Sequence, residues 1–173
     1  FAIAPEKALA LKPAQLTFTE ASTIPQSGAI ALQGTTHASP GKRVLINGAG
    51  GGTGPFAIQL AKRAGAHVTA VDNAAKLDFM RSVGADQVID YRTDDFTRAD
   101  HRYDLVLDLV AHRSVFALRR ALNPQGRYLC VGGSARSLLR VVIIGSIMGR
   151  LTGRRLGLLA VKQGPTHFGP LAD

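Results

Sequence analysis

From residue 43 onward, short apolar runs alternate with stretches whose apolar positions recur at helical spacing. Arg43–Asn47 reads as a short strand. Residues 55–64 read as a helix, because Ala57, Leu60, Ala61 and Ala64 fall at i, i+3, i+4 and i+7. Gly65 stands where a left-handed helix stop belongs. Residues 67–71 form a second strand, and residues 74–83 a second helix closed by Gly84. A third strand is expected at Gln87–Asp90 and a fourth at 103–110, with Asp104 and Asp108 set among apolar neighbours. Residues 114–122 predict a helix ended by Asn123-Pro124-Gln125-Gly126. A fifth strand over 127–131 runs into Gly132-Gly133. After Ser134 the rhythm changes, with an apolar helix expected over 138–151 and a last strand over 155–161.

Before this alternation, residues 1–40 read as an extended lead-in followed by a helix. Thr17 and Glu20 fit a capping box at its start. The helix is expected to reach about Gln33, bent or restarted near Pro25 and Gly28, before Pro40-Gly41 turns the chain. Strands alternating with short helices predict an α/β fold. The expected form is a Rossmann-type, doubly wound parallel sheet with helices on both faces. Two segments follow: a connector over 1–40 and a nucleotide-binding domain over 41–173.

Composition narrows the chemistry. The single cysteine, Cys130, excludes an internal disulfide and a multi-cysteine zinc site. It lies in an apolar run and is expected to be a buried strand thiol. No uncharged apolar run is long enough for a membrane-spanning helix. The start of the chain lacks a signal-peptide pattern, so a cytoplasmic location is expected. The net charge of +9 is uneven: residues 109–172 hold ten basic residues and no acidic one. Such a bias suits an acidic partner or a plain solvated surface. No aromatic residues interleave with these arginines, so a stacking platform for single strands is unsupported.

The main chemical signal is the loop Asn47-Gly48-Ala49-Gly50-Gly51-Gly52-Thr53-Gly54, between the first strand and the next helix. Small residues there allow a tight turn, a close approach to a pyrophosphate and close helix–strand packing. The helix start adds unpaired N–H groups and partial positive charge. Asp72 ends the second strand eighteen residues beyond Gly54, near the spacing of a carboxylate on an adenosine ribose. A P-loop is excluded, because Gly41-Lys42 is followed by Arg43 and precedes the strand. A methyltransferase loop stays open as a competitor, although Ile46-Asn47 lacks the acidic residue that usually precedes its glycines. The candidate ligand is a nicotinamide dinucleotide. Its candidate contacts are Ala49, Gly50, Gly51, Gly52, Thr53, Gly54, Asp72 and Val110, with Gly132 and Gly133 at the nicotinamide end.

Several segments together resemble a known family. They are residues 40–46, the loop 48–54, Gln59-Leu60-Ala61-Lys62, Gly84-Ala85-Asp86 and Val88-Ile89-Asp90-Tyr91. The chain resembles the medium-chain dehydrogenase/reductases, most of all their zinc-independent quinone oxidoreductases. The resemblance implies a cofactor motif carried by Ala49, Gly51 and Gly54. It implies that this chain is the cofactor half of a longer protein, without the domain that supplies most of the substrate site and the catalytic groups. It also implies a homodimer through the strand near 155–161. Lys76 and Tyr91 match positions that hold the 2′-phosphate in NADPH-using members. Asp72 pulls the other way, because a carboxylate there repels a 2′-phosphate. The balance favours NAD(H) within NAD(P)(H). Two departures concern the nicotinamide end: Ile30 stands where the family often has Thr, and Ala111 where it often has Gly.

Other catalytic patterns are missing from the sequence. None of Tyr91, Tyr103 or Tyr128 is followed four residues later by Lys, as short-chain dehydrogenases require. The histidines at 37, 67, 101, 112 and 167 show no metal-ligand spacing and read as surface or loop residues. Asp108 is expected to make a structural hydrogen bond close to the crevice. Two functions follow. One is the cofactor domain of an NAD(P)H-dependent quinone or enone reductase, inactive without its partner domain. The other is a non-enzymatic dinucleotide-binding module whose basic surface meets membrane or nucleic acid.

Overall fold

The computed structural model describes residues 3–132, 139, 141–145, 149 and 152–167. Helix α1 spans Phe18–Gly34. Then follow β1 (Arg43–Asn47), α2 (Gly54–Arg63), β2 (His67–Asp72), α3 (Leu77–Ser82) and β3 (Gln87–Asp90). The second half contains β4 (Tyr103–Asp108), α4 (Val115–Ala121), β5 (Leu122–Cys130) and β6 (Arg155–Leu158). The strands form one six-stranded sheet in the order β3-β2-β1-β4-β5-β6. Every pairing is parallel. The chain therefore folds as the expected α/β Rossmann-type sheet. The strand order reverses between β1 and β4, and ligands of such sheets bind in the crevice at that reversal.

The sheet is buried on both faces because its strands carry apolar side chains on both. Val44, Ile46, Leu105 and Leu107 pack with Ala57, Ile58 and Ala61 of α2 and Ala31 of α1. Their neighbours Leu45 and Val106 point the other way. They pack with Val115, Leu118 and Ala121 of α4 and with Val141. Small residues let the first layer approach closely. A methyl group on Gly34 would stand 2.9 Å from Leu107 Cδ1.

Local chemistry sets the element boundaries. Thr17 N–H donates to Glu20 Oε2 at 2.8 Å, and Glu20 N–H to Thr17 Oγ1 at 3.2 Å, completing the capping box. Helix α1 then runs through Pro25 and Gly28 without restarting. The expected second helix begins instead as a 3-10 turn, Ala74–Lys76, because Asn73 Oδ1 accepts from Ala75 N–H and tightens the first turn. Strand β5 starts five residues earlier than the turn signals suggest. Its pairing passes from Tyr103↔Leu122 directly to Leu105↔Arg127, so Asn123-Pro124-Gln125-Gly126 form a bulge within the ladder. Gln125 takes a left-handed φ of 64° there. Of the expected 138–151 helix, residues 139, 141–145 and 149 are helical, and the remainder lie outside the described residues. Strand β6 ends at Leu158 rather than Val161.

Candidate functional site

The glycine loop leaves the carboxyl end of β1 and is tied down by its own amides. Gly48 and Ala49 N–H both donate to Val71 O, at 2.9 and 3.0 Å, pinning the loop to β2. Gly48 adopts φ 82°, and a Cβ there would sit 2.7 Å from Val110 Cγ2. Gly51 N–H closes the turn on Gly48 O at 3.2 Å. Gly50 N–H donates to Asp72 Oδ2 at 2.9 Å. At Gly54 an added Cβ would fall 1.9 Å from Ala49 O, so α2 starts in direct backbone contact with the loop. The early amides thus shape the turn. Among the described residues, the N–H groups of Gly52, Thr53 and Gly54 have no protein acceptor. Gly51 and Gly52 are exposed. Unpaired amides at the start of a ten-residue helix, with the Ser27 hydroxyl beside Gly52, fit an anionic group.

Beside this loop lies a cavity of about 550 Å³, lined by Asn47, Gly48, Val71, Asp72, Tyr91, Val110, His112 and Arg113. It opens at the carboxyl ends of β1, β2 and β4. Asp72 is half-buried on its wall. Its second oxygen, Oδ1, accepts from Asn73 N–H at 2.8 Å and from Asn73 Nδ2 at 3.0 Å. Tyr91 N–H donates to Asp72 O at 3.1 Å, which carries the exposed phenol to the same rim. Lys76 is also near, since a Cβ on Gly50 would meet its side-chain stem at 2.8 Å.

The structure therefore brings together Ala49 to Gly54, Asp72, Lys76, Tyr91 and Val110. Gly132 stands apart: it follows β5, is exposed with φ 83°, and does not line the cavity. Gly133 lies outside the described residues. Sequence reasoning missed Asn47, Val71, Gly48, His112 and Arg113 as lining residues. Position alone marks the first two, which stand at the carboxyl ends of β1 and β2. His112 reads as a loop residue by spacing, and only the fold turns it toward the cavity. Arg113 is held there by Asp95, with Nη1 3.2 Å from Oδ2, and by the Phe96 ring at 5.7 Å.

Asp108 fastens the floor of this crevice. It is fully buried. Its Oδ1 accepts from Asn47 Nδ2 at 2.8 Å, Val110 N–H at 3.0 Å and Ala111 N–H at 2.9 Å. Its Oδ2 accepts from the Tyr128 hydroxyl at 2.9 Å. Burial, and then the negative charge of Asp108, push the Tyr128 hydroxyl far above its ordinary range, so it stays protonated and donates. The same network explains Ala111. Turning its amide onto Asp108 puts Ala111 at φ 58°, a left-handed conformation that costs an L-residue about 1–2 kcal/mol. Glycine, which the resemblance leads one to expect there, adopts it freely. Cys130 is a buried strand thiol whose Sγ donates to Gly132 O at 3.3 Å, and burial pushes it above its ordinary range.

Among the described residues, no group of three or more His, Cys, Asp or Glu side chains is placed to hold a metal ion. These residues therefore do not fit a zinc site. Also among them, no helix is long and apolar enough to cross a membrane.

Known proteins place this geometry. Residues 52–158 match the family described as zinc-binding dehydrogenase. The chain is 42% identical over 101 residues to a chloroplast envelope quinone oxidoreductase homolog of Arabidopsis thaliana, covering 54% of this chain and 31% of that protein. It is 34% identical over 151 residues to a 2-methylene-furan-3-one reductase of Solanum lycopersicum, covering 79% of this chain and 39% of that protein. The crystal structure of AibC superposes with a TM-score of 0.81 at 26% identity, covering 98% of this chain and 53% of that one. The chain thus spans between about a third and a half of the proteins it matches. It belongs to the zinc-binding dehydrogenase family, on the zinc-independent, quinone-oxidoreductase-like branch of the medium-chain dehydrogenase/reductases.

Proposed function

We propose that this chain is the nicotinamide-dinucleotide-binding half of an NAD(P)H-dependent oxidoreductase that reduces a quinone or an α,β-unsaturated carbonyl. One observation carries the reading. Three unpaired amides, at Gly52, Thr53 and Gly54, belong to the loop whose first residues, Asn47 and Gly48, line a cavity of about 550 Å³ walled by an acidic residue. In this reading Gly51 to Gly54 hold the pyrophosphate. Asp72 faces the adenosine ribose, and the cavity between Tyr91 and Val110 takes the adenosine. Ala49 and Gly50 shape the turn, while Gly132 borders the nicotinamide end. Bound nicotinamide supplies hydride; the protein supplies position and exclusion of water. The names of the relatives, a quinone oxidoreductase homolog and a furanone reductase, support the substrate class.

The same reading has residues 41–173 as the cofactor domain and 1–40 as its connector. The catalytic groups belong to a further domain. The chain pairs with a second copy through β6, the last strand in the sheet order, because an edge strand invites pairing. Asp72 favours NAD(H) over NADP(H). A 2′-phosphate a few ångström from its carboxylate meets repulsion on the order of 1–4 kcal/mol. Lys76 and Tyr91 offset part of this.

Calorimetric titration with NADH and NADPH, on wild type and Asp72→Ala, tests the assignment. Wild type is expected to bind NADH more tightly. Asp72→Ala is expected to gain roughly tenfold in NADPH affinity, equivalent to about 1.4 kcal/mol. An unchanged preference removes Asp72 from the ribose site.

A further inference from the structure

Toward the amino-terminal end of the sheet, away from the crevice, two cations stand on neighbouring strands. Arg127 of β5 and Arg155 of β6 are direct partners in the parallel ladder. Adjacent strands lie about 4.8 Å apart. The next residues, Tyr128 and Leu156, are both buried on the α4 side. Alternation therefore turns Arg127 and Arg155 together to the other face, the one covered by α1. His37 is exposed just past the end of α1, which Gln33 ties to Lys162 beyond β6. Partial desolvation first, and then the charges of Arg127 and Arg155, hold its imidazole below the ordinary range.

Like charges directly opposite on neighbouring strands destabilise a sheet. Among the described residues, no carboxylate lies within ion-pair distance of either arginine. Residues 109–172 contain no acidic side chain. The ion pairs formed among the described residues engage Lys42, Lys62, Arg81, Arg98 and Arg113, not these three. The last carbonyls of α1 offer little, because Ala31 O, Leu32 O and Gln33 O already accept from Thr35 and Thr36.

We propose that Arg127, Arg155 and His37 form a binding site for a small phosphate-type oxyanion, on the α1 face where Arg127 of β5 pairs with Arg155 of β6. Two guanidinium groups on neighbouring strands match the oxygens of one phosphate. They do not form the long cationic track, with interleaved aromatics, that a nucleic-acid strand needs. The site lies at the far end of the sheet from the dinucleotide crevice and stands or falls independently of it.

Inorganic phosphate, titrated at ionic strength held constant with sodium chloride, tests the site. The readouts are the His37 ring and arginine Nε–H resonances of the 173-residue chain. The proposal expects saturable shifts in these groups. Arg155→Gln and Arg127→Gln are each expected to weaken binding by about tenfold or more, as loss of a charge-assisted contact does. Without phosphate, both variants should melt no lower than wild type, because the like-charge contact is gone. A merely structural arginine would lower the melting temperature instead, and that result overturns the proposal. So do shifts that never saturate, or equal shifts in the variants. Binding of a short single-stranded oligonucleotide while inorganic phosphate is inert overturns it as well.

Discussion

Gly54→Ala is expected to destabilise the chain by about 3–5 kcal/mol, placing it among the rare, severe single substitutions. The reason is space rather than conformation. An alanine Cβ would lie 1.9 Å from Ala49 O, 2.3 Å from Ala49 C and 2.5 Å from Ala49 Cα. All three are backbone atoms, and Ala49 is fully buried. They can yield only if α2 moves away from β1, which would open the packing of Ala57, Ile58 and Ala61 against Val44 and Ile46. Gly51→Ala is the control within the same loop. Its Cβ would find only Gly48 O, at 3.4 Å, so its effect should stay within about 0.5 kcal/mol. Urea unfolding of the two variants measures the contrast. Equal midpoints would show that the close approach at Gly54 does not hold the loop to the helix.

Asp108→Ala is expected to cost about 3–5 kcal/mol, the range for removing one partner from a buried charged network. Four donors would lose their acceptor at once: Asn47 Nδ2, the amides of Val110 and Ala111, and the Tyr128 hydroxyl. Asp108→Asn should cost less, about 1–2 kcal/mol. Its carbonyl can take the place of Oδ1, and its amide can donate to the Tyr128 hydroxyl, which is able to accept. Asn47 and Val110 both line the cavity, so the alanine variant should also weaken dinucleotide binding. Thermal unfolding ranks the variants. An alanine variant no less stable than the asparagine one would mean that the network does not fasten the crevice.

The fold was legible because its signals are local and repeated. Val44 to Ile46, Val68 to Val71 and Leu105 to Leu107 are short runs, apolar but for Thr69, and each is separated from the next by turn or helix signals. The capping box at Thr17 needs only four consecutive residues to be seen. The candidate site was legible where chemistry and position coincide, as at Asp72, which lines the cavity. It was hidden where the fold supplies the neighbour. His112 reaches the cavity because Asp108 turns the chain at Ala111, and no spacing along the sequence reports that turn. The bulge at 123–126 was hidden for a similar reason. Asn-Pro-Gln-Gly marks a turn equally well outside a strand and inside one, and only pairing with β4 decides between them.

The central claim concerns three backbone groups. Backbone amide resonances of the 173-residue chain, followed during titration with NADH at near-physiological salt, test it most directly. The account predicts saturable shifts at Gly52, Thr53 and Gly54, accompanied by Asp72, Tyr91 and Val110. Shifts confined to the arginine-bearing end of the sheet, with the loop amides unmoved at saturating NADH, would contradict it.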